Sequence, residues 1–265
     1  MTTQPDAAPR PIVVKLGGST LGSHDTSLRD IAAARREGRP VVVVHGGGAA
    51  ISEWLQRLGV EAKFVRGLRV TDAATLDVVV AVLAGVVNKR LVAELSALGA
   101  PAVGISGADG MLLQARRYDA DLGFVGKIDR VDPAVIEELL RAGRLPVIAP
   151  IAIESDGAAP QLLNTNADTA AGEIAAALHA ERLVFLTDVD GVLDADRKLI
   201  PHLTAAEATA LIASGVAAGG MIPKLEAAIR AATAACATTI APGTTLGALA
   251  AVLSGATPAT TIAAN

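Results

Sequence analysis

Apolar residues along this chain fall into two rhythms. Short runs of β-branched and aliphatic residues occupy 12–16, 41–44, 102–105, 146–149 and 183–186, and each gives way to glycine, proline or a polar residue. None alternates apolar with polar positions, so each predicts a strand covered on both faces. Between the runs, segments 27–37, 49–58, 72–98, 132–142, 168–178, 205–214 and 223–235 read as helices. This alternation predicts an α/β protein, a three-layer αβα sandwich with a mainly parallel central sheet. Segment 111–131 breaks the rhythm. Gly110, Gly123 and Gly126 punctuate short runs there and predict hairpins. The chain shows no internal repeat and no low-complexity linker.

Composition narrows the function classes. Hydrophobic residues make up 51% of the 265, yet aromatics are only 2%, so alanine and valine supply the apolar content. No uninterrupted apolar stretch reaches the roughly 18 residues of a membrane span; the longest, 78–87, runs into Asn88-Lys89-Arg90. Residues 1–11 are polar and proline-containing, without the basic start and apolar middle of a signal peptide, and read as a loose tail. Cys236 is a lone cysteine, which excludes an intrachain disulfide. It falls in an alanine-rich stretch expected to be helical, where a small buried hydrophobe is the natural reading. A cytoplasmic location is therefore the expectation. A net charge of −4, short basic runs and scarce aromatics disfavour nucleic-acid binding.

Six motifs could carry chemistry. Lys15-Leu16-Gly17-Gly18-Ser19 ends the first strand, where glycine amides can approach an anion and the lysine adds a compact cation; a tight turn with a solvated lysine is the bland alternative. His45-Gly46-Gly47-Gly48 ends the second strand. Three glycines before a helix cost conformational entropy and imply a need for backbone amides or crowding. Two glycine turns at one end of neighbouring parallel strands mark the side where ligands bind in open α/β sheets. His45 reads better as a residue turning the strand end than as a catalyst. Neither cluster is a Walker A loop or a dinucleotide fingerprint.

The third motif is Gly67-Leu68-Arg69-Val70-Thr71-Asp72. Arg69 offers a planar fork for a carboxylate, or a surface ion pair, and Thr71 or Asp72 can cap the next helix. Asn164-Thr165-Asn166-Ala167-Asp168 opens another helix with more polar groups than one cap requires. Thr187-Asp188-Val189-Asp190-Gly191 ends a strand in a polar turn, and turn chemistry alone accounts for Asp190-Gly191. In Gly219-Gly220-Met221-Ile222-Pro223-Lys224, Pro223 suits a first helical turn. A lysine at that helix N-terminus makes sense when a phosphate lies between it and the dipole.

In this order, over roughly residues 11–235, the motifs resemble the amino acid kinase family, and its acetylglutamate kinase branch in particular. The segment 84–89, Ala-Gly-Val-Val-Asn-Lys, belongs to the same resemblance. The carrier-linked aminoadipate kinases of lysine synthesis are the close alternative, and a non-catalytic amino-acid sensor of the same fold is a more distant one. The resemblance implies an acceptor-binding and dimerising lobe at 12–180 and an ATP-binding lobe at 181–265, with a homodimer as the assembly. Lys15 and Lys224 would stabilise the transferring phosphoryl group, with Asp168 holding both. Gly17, Gly18, Gly46 and Gly47 would offer amides to phosphate and carboxylate. Arg69, Asn164 and Asn166 would bind N-acetyl-L-glutamate, and Thr187, Asp188, Gly219, Gly220 and Met221 would border the nucleotide. ATP would arrive with Mg²⁺, and no dedicated protein metal site is expected. Segment 237–265 is rich in Ala and Thr and lacks the family's usual pattern there. With the short N-terminal tail, this implies a dimer insensitive to arginine.

Overall fold

The computed structural model describes residues 9–17, 26–156, 159–244, 246–256 and 258–264. Along the chain these form β1 (Ile12–Leu16), α1 (Ser27–Arg36), β2 (Val41–His45), α2 (Gly48–Arg57), β3 (Phe64–Val65), β4 (Leu68–Arg69) and α3 (Ala73–Val80). A π-helical stretch (Ala81–Val87) leads directly into α4 (Asn88–Ala97), followed by β5 (Ala102–Ser106), β6 (Leu113–Arg117), β7 (Gly126–Val131), α5 (Ala134–Arg141), β8 (Leu145–Ala149), β9 (Ile151–Glu154) and β10 (Leu162–Asn164). The remainder is α6 (Ala167–Ala177), β11 (Arg182–Thr187), β12 (His202–Thr204), α7 (Ala205–Ala213), α8 (Met221–Ala232), β13 (Ala237–Pro242), α9 (Ala248–Ser254) and β14 (Thr260–Ala263).

One sheet of eight strands, ordered β12-β14-β13-β11-β1-β2-β8-β5, runs through the molecule. The six strands from β13 to β5 are parallel, and β14 pairs antiparallel with β13. β1 sits between β2 and β11. The chain thus builds outward first on one side of β1 and then on the other, which makes the carboxyl end of β1 the switch point where such sheets bind ligands.

Side chains leave a strand on alternate faces. Val13, Val42, Val44, Leu183 and Phe185 pack with α6 and α8 in one buried cluster. Ile12, Val14, Leu16, Val41, Val43, Val184 and Leu186 pack with α1, α2, α4, α9 and the π-helical stretch in the other. The three layers follow from this alternation. It also fixes directions at the site: Lys15 shares the face of Val13 and looks toward α6 and α8, whereas His45 shares the face of Val43 and looks toward α4.

Two expectations need correction. Segment 72–98 is not one uniform α-helix, since its middle winds as a π-helix. Cys236 does not lie in a helix; α8 ends at Ala232, and Cys236 is buried at the entry to β13. Burial raises its thiol pKa to about 11, so it is an inert hydrophobe. Among the described residues, segment 237–265 supplies two sheet strands and a helix. The hairpin expected within 111–131 is β6–β7, extended by β9 and β10 into a second, four-stranded sheet.

Candidate active site

Two ammonium groups from opposite ends of the chain meet on one carboxylate. Lys15 Nζ lies 2.6 Å from Asp168 Oδ1, and Lys224 Nζ lies 3.0 Å from Asp168 Oδ2, with all three side chains 8–13% exposed. Each position has a local cause. Lys15 is the fourth residue of β1. Asp168 is in the first turn of α6, whose N-cap Asn166 accepts from the Asp168 and Thr169 amides at 2.8 and 3.0 Å. Lys224 is in the first turn of α8. The two helices touch at Gly172, one turn beyond Asp168, where an added Cβ would sit 2.8 Å from the Cα, Cβ and carbonyl oxygen of Ala227. No larger residue permits this approach, so Gly172 brings the Asp168 and Lys224 turns together.

The cluster carries one net positive charge in a partly dry setting. Burial pulls the Lys15 pKa below its ordinary value; Asp168 opposes that shift and Lys224 adds to it. Asp188, exposed just beyond β11, also acts on the Lys15 charge.

Beside Lys15 opens a cleft of about 240 Å³, bordered by Gly46, Gly47, Arg69, Asn164 and Asn166 among others. The Gly17 and Gly46 amides continue the sheet ladder to Leu186 and Leu16 carbonyls at 3.3 and 3.2 Å. The Gly47 amide makes no such bond among the described residues. It precedes α2, whose N-terminus faces the same cleft and favours an anion. A Cβ on Gly47 would meet the buried Leu83 at 2.6 Å.

Arg69 is buried, and burial lowers its pKa. Arg66 and Gly67 both have positive φ, which closes the two-residue turn between β3 and β4 and sets Phe64 opposite Arg69. The Phe64 ring stacks 4.7 Å from the guanidinium. Arg69 Nη2 donates to Gly48 O at 3.0 Å and Ser52 Oγ at 2.8 Å, while the buried Nη1 finds no partner among the described residues. Asn164 Nδ2 donates to Thr71 Oγ1 at 3.2 Å. Asn166 uses its oxygen as the α6 cap, so its amide donors are the part not committed to the helix. Asp72, rather than Thr71, caps α3.

Thr187, Asp188, Gly219, Gly220 and Met221 do not border this cleft. Thr187 ends β11 and donates to Asp188 at 2.9 Å. Gly219, with φ of 56°, and Gly220 lead into α8, where Met221 is the first residue. Gly18 falls outside the described residues. Sequence reasoning missed Ser52, Phe64 and Gly172. Only Gly172 leaves a trace, a glycine inside a helix otherwise rich in alanine.

Residues 10–241 match the amino acid kinase family. The chain belongs to that family. It is 50% identical to the acetylglutamate kinase of Synechococcus sp. (strain WH7803) over 231 residues, covering 84% of this chain and 78% of that one. The acetylglutamate kinase of Methanoculleus marisnigri is 49% identical over 236 residues, covering 83% and 81%. Among solved structures, the N-acetylglutamate synthase of Neisseria gonorrhoeae complexed with coenzyme A and N-acetyl-glutamate superposes with a TM-score of 0.81 at 28% identity, covering 96% of this chain and 59% of that one. Carbamate kinase from Giardia lamblia shares the fold, with a TM-score of 0.68 at 19% identity over 97% and 99% of the two chains.

Proposed function

We propose that this protein transfers the terminal phosphoryl group of ATP to the side-chain carboxylate of N-acetyl-L-glutamate, giving N-acetyl-L-glutamyl 5-phosphate for arginine biosynthesis. The observation that carries this reading is the pair of buried lysines on Asp168, at the switch point of a sheet in a chain about half identical to acetylglutamate kinases. In the reaction an oxygen of the acceptor carboxylate forms a bond to phosphorus while the bond to ADP breaks. With a pKa near 4.3 the carboxylate is already ionised at neutral pH, so no general base is needed. The barrier is the approach of one anion to another. Lys15 and Lys224 oppose it with charge on the transferring group, and Asp168 holds them in register.

Arg69, through its unpartnered Nη1, takes the carboxylate of the acceptor that does not react. Asn164 and Asn166 complete that subsite, and the Gly47 amide meets the reacting end. Thr187, Asp188 and the Gly219–Gly220 turn border the nucleotide. Among the described residues no three acidic, histidine or cysteine side chains cluster as a metal site, and Asp168 is engaged by both lysines. This donor set fits Mg²⁺ carried by the nucleotide phosphates rather than caged by protein; bound there, the ion would neutralise phosphate charge. No described helix is long and apolar enough to cross a membrane. The reading carries with it a cytoplasmic homodimer, with residues 12–180 and 181–265 as acceptor and nucleotide lobes. A coupled ADP-release assay tests it. ADP should appear only when N-acetyl-L-glutamate is present, and equal ADP release without that acceptor would refute the reading.

A further inference from the structure

The second strand ends on a histidine that the chemistry above does not use. His45 is fully buried, on the sheet face opposite Lys15. Its Nδ1 lies 2.9 Å from the carbonyl oxygen of Gly46, and its Nε2 lies 3.1 Å from Asn88 Nδ2. A carbonyl only accepts, so Nδ1 carries the proton, and Nε2 accepts from the Asn88 amide.

The network continues outward from Asn88. Its Nδ2 donates to Val147 O at 2.9 Å and its Oδ1 accepts from Lys89 Nζ at 2.9 Å. Lys89 Nζ also donates to Gly104 O at 2.9 Å. Gly104 leaves room for this arrangement, since a Cβ there would stand 2.0 Å from Asn88 Oδ1. The imidazole is therefore held at both ring nitrogens, from β2 on one side and from α4 on the other. Burial lowers its pKa to about 4, which keeps the ring neutral and the tautomer constant at ordinary working pH.

The consequence falls on the next peptide unit. Across a trans peptide the carbonyl and the following N–H point in opposite directions. Tying the Gly46 carbonyl to the His45 side of the sheet therefore turns the Gly47 N–H toward the other side, where Lys15 and the cleft lie. Glycines leave that peptide free to rotate, and Gly46-Gly47-Gly48 has no side chain of its own to stop it.

We infer that His45 is a positioning residue for the phosphoryl transfer: its Nδ1–H clamps the Gly46 carbonyl so that the Gly47 amide stays aimed at the reacting anion. This inference rests on the acetylglutamate kinase reading. A clamped amide stabilises charge without reorganising during the reaction, which is how fixed backbone donors lower a barrier.

Two substitutions separate the ends of the ring. Asn places an amide donor where Nδ1 stands and keeps the bond to Gly46 while losing Asn88. Gln reaches the Nε2 position, keeps the link to Asn88 and loses the clamp. The experiment measures kcat, both KM values and the melting temperature of wild type, His45→Asn and His45→Gln. Acetylglutamate-dependent ADP release by the wild type is the control, and its failure overturns the functional reading itself. With an active wild type, the inference predicts that H45Q loses about 30-fold or more in kcat with each KM within about threefold, and that H45N stays within about fivefold. Equal kcat values in the two variants, or a loss confined to KM, would overturn it. If H45Q does not accumulate as folded protein, H45N decides: kcat within fivefold supports the clamp, and a larger loss contradicts it.

Discussion

Replacing Asp168 by asparagine removes one charge and almost no volume. In the wild type the two ammonium groups share one carboxylate at 2.6 and 3.0 Å. They are thus held no more than about 8 Å apart; at an effective dielectric constant of about 20, two such charges repel by about 2 kcal/mol or more. Asparagine offers one acceptor oxygen for two cations, so one lysine swings away or gives up its proton. Breaking a buried ion pair from one side costs about 3 kcal/mol, which lowers the melting temperature of a chain this size by about 6–12 °C. The chemical consequence is larger. Losing one aligned cation from the transferring phosphoryl group lowers kcat by roughly 10²–10³. The assay is steady-state ADP release alongside thermal melting. A D168N enzyme with near-normal kcat and an unchanged melting temperature would refute the view that Asp168 organises the two lysines.

Gly172→Ala should force α6 and α8 apart, because its Cβ meets Ala227 backbone at 2.8 Å; melting should show a loss of about 1–3 kcal/mol and kcat should fall about tenfold or more as Lys224 draws away from Asp168, whereas unchanged values would remove the glycine from the design. Arg69→Ala should raise KM for acetylglutamate by about 10- to 100-fold with kcat little changed, as expected for a lost charged hydrogen bond, and an unchanged KM would sink that assignment. Burial lowers the Lys15 pKa below 10.5. Its active form is the protonated one, lost as pH rises, so kcat/KM for ATP should begin to fall below pH 10.5. Lys15→Arg should move that limb upward, and a wild-type profile flat through pH 10.5 would contradict the argument.

The alternation of apolar runs with helical segments was enough to read the αβα sandwich, because strands covered on both faces leave uninterrupted valine and isoleucine runs such as 41–44. The last quarter was harder. In β13 and β14 the interior positions include Thr238, Thr239 and Thr260, which look polar in sequence. Thr260 is accommodated because its hydroxyl donates to Ile200 O at 2.7 Å and accepts from Val192 N at 2.7 Å, partners no local pattern could reveal. The π-helical turn was hidden for another reason: the apolar run from Val78 to Val87 has no polar face to show a change of phase. At the site, the glycine turns and the polar helix start at 164–168 were visible as chemistry. That Lys15 and Lys224 share Asp168 was implied by the family resemblance rather than by spacing. The contact requires the alternation in β1, the α6 cap and the Gly172 approach together, and each belongs to a different part of the chain.

Trapping the product with hydroxylamine tests the central claim most directly. Wild-type enzyme with ATP and Mg²⁺ should yield hydroxamate from N-acetyl-L-glutamate, far less from glutamate, aspartate or N-acetyl-aminoadipate, and almost none from acetylglutamate when Lys15→Ala or Lys224→Ala replaces it. Equal hydroxamate from the wild type and both lysine variants, or none from acetylglutamate with the wild type, would contradict the account.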